Sequence, residues 1–222
     1  MADWHSSGGD TEGALAVTQT YPVPALVGRR VRLEPLRLDH VAALLEAASE
    51  DRSTYAYTTV PHEWTTMTQY VQDLREEYEA GLAVPFAQVN AFDERVVGAT
   101  RFLTIRARRG AVSPFAVEIG GTWLSASAQR SSINTEAKLL LLRYAFDVWR
   151  VSRVDLKTDL RNDRSRKAIL RIGATFEGVL RHWQPSAVEG EEALYRDTAM
   201  YSVIDQEWPR VGAHLESLLA TR

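Results

Sequence analysis

The chain has 222 residues, 45% of them hydrophobic and 25% charged, with a formal net charge of -3. Such values describe a globular protein with enough residues for one sizeable core, and they disfavour a nucleic-acid binder driven by bulk charge. The sequence holds no cysteine, which excludes a disulfide framework, a thiolate nucleophile and a cysteine-ligated metal. No apolar run approaches the roughly 20 residues of a membrane span, and no basic segment precedes an apolar one at the start. The expectation is a cytoplasmic protein without membrane or nucleic-acid partners.

Residues 1–24 are rich in Gly, Ser, Thr and Ala and lack Lys and Arg; they read as a disordered tail, with a single domain over 25–222. Val31 and Leu33 alternate with charged residues, as in a half-buried strand. Asp39 is placed to cap a helix over 41–49. A second helix starts at Thr65 or Thr66 and stops at Gly81. Strands follow over 86–92, 95–105 and 116–124, with Asp93-Glu94 as a hairpin turn between the first two.

The next stretch, SASAQRSSINTEAKLLLLRYAFDVWR (125–150), organises the rest. Its first ten residues are small and polar, suited to a tight loop. From Thr135 to Trp149 it reads as one core helix, apolar nearly all round, with Glu136, Arg143, Asp147 and Arg150 marking a polar side. A polar loop feeding a helix start offers free backbone N–H groups and the positive end of the helix dipole, a setting for phosphate. A plain helix cap explains the same residues, and the loop lacks the glycines that bring backbone close to a phosphate. Strand 151–158, a helix from Asn162 or Asp163 to Gly173, strands 175–180 and 197–204, and a helix over 207–219 with Pro209 in its first turn complete the chain. The order implies an α/β (mixed α+β) fold, a central twisted mixed sheet flanked by helices, with strands 116–124 and 151–158 parallel.

Four segments in this order, VGRRVRLEPLRLDHVAALLEA, VEIGGTWLSASAQRSSINTEAKLLLLRYAFDVW, RVDLKTDLRNDRSRKAILRIGATFEGVLR and RDTAMYSVIDQEWP, resemble the GNAT N-acetyltransferase superfamily. Within it they are most similar to the branch that acetylates ribosomal-protein N-termini. The resemblance covers about 26–219. It implies the acyl-CoA N-acyltransferase fold, acetyl-CoA as cosubstrate without a metal, and a primary amine as acceptor: a protein or peptide N-terminus, or a small molecule. It implies transfer in a ternary complex by a monomer or homodimer.

The family's loop pattern is Gln or Arg, two variable residues, Gly, one variable residue, then Gly or Ala. Gln129 matches its first position, whereas Ser132 and Asn134 replace the small residues. The resemblance implies coenzyme contacts from Trp123, Leu124, Gln129, Arg130, Ser131, Ser132, Ile133, Asn134, Thr135 and Asn162. Ser165 matches a serine proposed to protonate the leaving thiolate. The tyrosine used elsewhere in the superfamily, seven residues after the asparagine, is Ile169 here. Glu118, an acid in an apolar strand, is the candidate base, and Tyr201 and His182 are alternatives. Each has a plainer reading: Asn162 and Ser165 as helix-cap residues, Glu118 as an ion-paired or outward side chain, Tyr201 as core, His182 as surface. Lys138, Arg161, Arg164, Arg166 and Lys167 can reach the coenzyme phosphates or form a solvated helix face. Tyr55, Tyr57, Trp64, Met67 and Tyr70 can wall an acceptor pocket or belong to the core. A non-catalytic acyl-CoA-binding or regulatory module on the same fold is the competing reading.

Overall fold

Val31 and Leu33 are buried in the computed structural model, which describes residues 19–221, and the alternation around them forms a strand as expected. In chain order the elements are β1 (Leu26–Val27), β2 (Val31–Pro35), α1 (Val41–Ser49), α2 (Trp64–Glu79), β3 (Ala83–Asn90), β4 (Val96–Arg106), β5 (Ala116–Leu124), α3 (Ile133–Arg143), β6 (Arg153–Asp159), α4 (Asp163–Arg171), β7 (Thr175–Pro185), β8 (Tyr195–Ile204) and α5 (Trp208–Ala220). The strands form one sheet in the order β1-β2-β3-β4-β5-β6-β8-β7. All neighbours are antiparallel except β5 and β6, which run parallel across the α3 connection. The mixed sheet with flanking helices is the expected fold.

Two apolar layers cover the two faces. Met67, Val71 and Leu74 of α2 and Leu44 and Ala48 of α1 pack on Ala87, Ala99 and Trp123. On the other face Ala137, Leu141 and Leu142 of α3, Ile169 of α4 and Val211 and Leu215 of α5 pack on Phe102, Val117, Ile119, Leu156 and Tyr201. The register explains the division, because Phe102 is opposite Ile119 and Ala99 opposite Trp123, and strand residues alternate between faces.

Several boundaries differ from expectation. Most of the expected tail, 1–18, lies outside the described residues, but its end does not behave as a tail. Tyr21 and Val23 are buried, and the Tyr21 ring meets Trp149 edge-on at 6.1 Å. Asp39 does not cap α1; it lies in the 3-10 turn Leu38–His40 and pairs with Arg37 at 3.1 Å. The central helix begins at Ile133, two residues early, and after Arg143 widens into a π turn, Tyr144–Val148. Glu136 is not on a polar side. It is buried and accepts from the N–H groups of Arg29 at 3.1 Å, Arg30 at 2.7 Å and Val31 at 2.9 Å. Gly28 permits that approach, since a Cβ there would lie 2.3 Å from the Glu136 carboxylate.

Candidate active site

β5 and β6 pair only through Ala116–Arg153, Val117–Val154 and Glu118–Asp155. Beyond that point β5 runs on to Leu124 and β6 to Asp159 without pairing to each other. A parallel pair that parts leaves backbone N–H and C=O groups facing the gap. The sequence Gly120-Gly121 shows why β5 bends here. Ala99 is opposite Trp123 and Arg101 opposite Gly120, so β5 holds one extra residue, a bulge that turns the strand. Gly121 has φ 56, and a Cβ there would lie 3.1 Å from Arg101 Nε.

The 125–132 loop closes one end of the gap. Gln129 Nε2 donates to Leu124 O at 2.9 Å and to Thr54 Oγ1 at 3.1 Å, and Tyr55 OH donates to the same Leu124 O at 3.0 Å. From α4, Arg164 donates to Gln129 Oε1 at 2.9 Å and to Thr54 O. Leu124, Gln129 and Arg164 are thereby brought together, with the Arg52–Tyr55 turn as an unforeseen fourth party. Arg130 takes the left-handed φ of 58. The N–H groups of Arg130, Ser131, Ser132, Asn134 and Thr135 find no acceptor among the described residues, and Asn134 Oδ1 is buried without a partner. Free donors at the positive end of a helix fit a coenzyme pyrophosphate.

The side chains do less there than expected. Ser132 Oγ accepts from Arg30 Nη1 at 2.7 Å. Ile133 is buried in the core, and its N–H donates to Ser131 Oγ at 3.2 Å. Thr135 is buried and accepts from Arg171 at 2.6 Å. Lys138 is a correction. Its Nζ turns inward to Thr122 Oγ1 at 2.7 Å, and Thr122 meets Thr100 Oγ1 at 2.8 Å. Burial pushes the Lys138 ammonium down to about 7. The Trp123 indole donates to Tyr70 OH at 3.3 Å, and Leu124 packs in the core, so both present only backbone to the gap.

Asn162 Oδ1 accepts from Ser165 N at 3.0 Å and caps α4. The Ser165 hydroxyl makes no hydrogen bond among the described residues. Glu118 is buried at the last paired register position. It accepts from Thr104 Oγ1 at 3.1 Å and pairs with Lys157 Nζ at 3.0 Å, rather than standing alone in an apolar strand. Tyr201 is corrected to a core role. It is fully buried opposite Leu156, its ring lies 5.3 Å from Phe176, and its OH accepts from Arg166 Nε at 3.3 Å. His182 is exposed with φ 48 and stacks on Tyr195, in a depression lined by the edge strand β7 and Asp197. Sequence reasoning missed Arg101 and Arg196. Each has a buried Nε without a partner, and burial pushes the Arg196 guanidinium below the usual arginine range. A lone arginine inside the apolar run VVGATRFLTI was the available signal for Arg101.

The Acetyltransferase (GNAT) domain family matches residues 30–175. The chain belongs to the GNAT acetyltransferase family. This GNAT protein is 34% identical to a protein described as an acetyltransferase from T. thermophilus, with a TM-score of 0.73 over 90% of this chain and 99% of that one. A GCN5-related N-acetyltransferase from Brucella melitensis is 28% identical, with a TM-score of 0.75 over 90% of this chain and 88% of that one. RimJ from Mycobacterium smegmatis, solved in complex with CoA-disulfide, shares the fold at 22% identity, with a TM-score of 0.70 over 88% of this chain and 93% of that one. No curated protein matches the chain. The free donors of the loop and the parted strands suit the acetyl-CoA on which GNAT enzymes depend. When bound, acetyl-CoA supplies an acyl group activated as a thioester. What this chain's residues add is position: loop N–H donors, strand edges, and a carboxylate at the root of the gap.

Proposed function

We propose that this GNAT enzyme acetylates the amine of a protein or peptide N-terminus by direct transfer, without a covalent enzyme intermediate. The observation that carries this reading is the gap between β5 and β6, which begins at Glu118–Asp155 beneath the free N–H groups of α3. In this reading Arg130, Ser131, Ser132, Asn134 and Thr135 donate backbone N–H to the pyrophosphate, with Gln129 and Arg164 shaping the loop. The edge of β5 near Trp123 and Leu124 holds the thioester carbonyl. Asn162 faces the pantetheine arm, and Ser165 donates a proton to the departing thiolate. Glu118 takes the proton of the amine, directly or through a water, while Lys157 and Thr104 fix its carboxylate. The RimJ neighbour motivates the peptide acceptor, as does the face of the sheet that carries Glu118. The helices on that face, α1 and α2, pack chiefly on β4 and β3, away from β6, β8 and β7. The test is CoA release from acetyl-CoA with N-terminal peptides and small amines. Turnover of peptides is expected; efficient turnover of small amines with none of the peptides overturns the acceptor assignment. CoA binding without turnover on any amine supports the non-catalytic module instead.

A further inference from the structure

The face of the sheet that carries Glu118 holds two arginines without side-chain partners among the described residues. Register places them. Arg101 is opposite Gly120, two residues after Glu118, and Glu118 is opposite Asp155. Asp155, Lys157 and Asp159 share that face with Thr198, the partner of Asp159, and with Arg196 two residues before it. The acids near Arg196 are already engaged. Glu118 pairs with Lys157, and Asp159 with Arg161, which also holds Glu191. Arg101 and Arg196 make no side-chain hydrogen bond or ion pair among the described residues, and the Nε of each is buried. Thr198 is fully buried on the same face, and its Oγ1 too lacks a partner. Buried donors are left unsatisfied in native proteins only rarely, and a ligand that supplies the acceptor removes the cost. The forked guanidinium matches carboxylate and phosphate. Arg101 on β4 and Arg196 on β8 each stand one strand back from the gap, three strand spacings apart across the sheet and four residues apart along it, about 19 Å overall before the gap widens. Two arginine side chains extended towards each other reach that far only with an anion between their guanidinium groups.

We propose that the acceptor carries an anionic group, a carboxylate or a phosphate, beside its reactive amine, and that Arg101 and Arg196 receive this group between the two banks of the gap. The proposal rests on the acetyl-transfer reading for the place of the amine. It makes acidic peptides or amino acids acceptors and excludes polyamines.

Matched amines test it: a peptide with Glu at its second position against the same peptide with Gln, an amino acid against its carboxamide, and phosphoethanolamine against ethanolamine. In at least one pair the anionic member is expected to have a kcat/KM at least tenfold higher, chiefly through KM. The pair that responds tells a peptide side chain from a free carboxylate or a phosphate. Arg101→Gln and Arg196→Gln are each expected to bring that ratio towards one, and Arg→Lys at either site to restore part of it. Equal or better turnover of the neutral member in every pair overturns the proposal, as does a ratio unchanged in both Gln variants. A second measurement needs no turnover. Inorganic phosphate, titrated in the presence of CoA, is expected to raise the Tm of the wild type more than that of the Arg101→Gln, Arg196→Gln double variant. Identical shifts overturn the anion site even in an active enzyme. A difference in shift without turnover of any amine leaves the anion site standing and removes the acetyl-transfer reading.

Discussion

Glu136 and Lys138 sit two residues apart at the start of α3 and have opposite fates. The Glu136 carboxylate accepts three backbone N–H groups from residues 29–31. Glu136→Ala removes the acceptor and strands the donors, so a loss on the order of 3 kcal/mol in urea unfolding is expected. Lys138 has no acid near it, only Thr122. Its folded value of about 7 lies below the ordinary 10.5. Between these values the unfolded chain binds more protons, so the Lys138 contribution to stability rises with pH from about 7 to about 10.5 and is lost as pH falls. Lys138→Met is therefore expected to be more stable than the wild type at pH 6, by on the order of 3 kcal/mol, with the gap closing towards pH 10. At Ser165 the expected outcome of Ser165→Ala is a fall in kcat of roughly two orders of magnitude with CoA affinity little changed. Normal turnover of the folded variant would show that the residue serves α4 alone. The partners of Glu136 and Lys138 were not legible in sequence, because residues 29–31 and Thr122 come to α3 only through the sheet.

At the scale of elements, periodicity located most of the fold. Val41 to Ser49 became α1 with its expected limits, and Ala116 to Leu124 became β5 with the same bounds as read. The misses have a common cause. β7 continues to Pro185, past the expected Leu180, because pairing to β8 resumes at Gln184–Arg196 after an irregular stretch that breaks alternation. The π turn after Arg143 keeps apolar spacing, so nothing in the sequence marks it; its effect is to bring Trp149 against Phe102 and Tyr144 at 4.8 and 5.2 Å. For the site, the loop was legible as a loop, whereas the direction of each side chain was not. Four of its neighbours, Ser132, Ile133, Thr135 and Lys138, turn to Arg30, the core, Arg171 and Thr122. The loop's function thus falls to its backbone. Ser132→Glu adds bulk and charge where those N–H groups point, and is expected to weaken CoA binding at least tenfold in calorimetry with Tm little changed. Unchanged CoA binding would refute this placement of the coenzyme.

Across the whole molecule, Tyr21 and Val23, just before β1, belong to the core. Truncation through Pro24 removes buried Tyr21 and Val23, and is expected to lower stability by about 3 kcal/mol or more relative to truncation through Thr18. The composition of 1–24 suggested otherwise, since two apolar residues among many small ones carry no periodic signal. The sheet itself is divided. β1 to β5 and β6, β8, β7 are joined along the strands by three residue pairs, after which both banks of the gap present unpaired backbone. The centre of an eight-stranded sheet thus contains two edges. Amide protons in mid-sheet ordinarily exchange with solvent deuterium only on global unfolding. Here the amides of 119–124 and 156–159 that face the gap are expected to exchange quickly in the free enzyme, while those of β3 and of β5 before Glu118 stay slow. A coenzyme lying along the gap would slow the first set alone, making the interior of this sheet its own occupancy gauge.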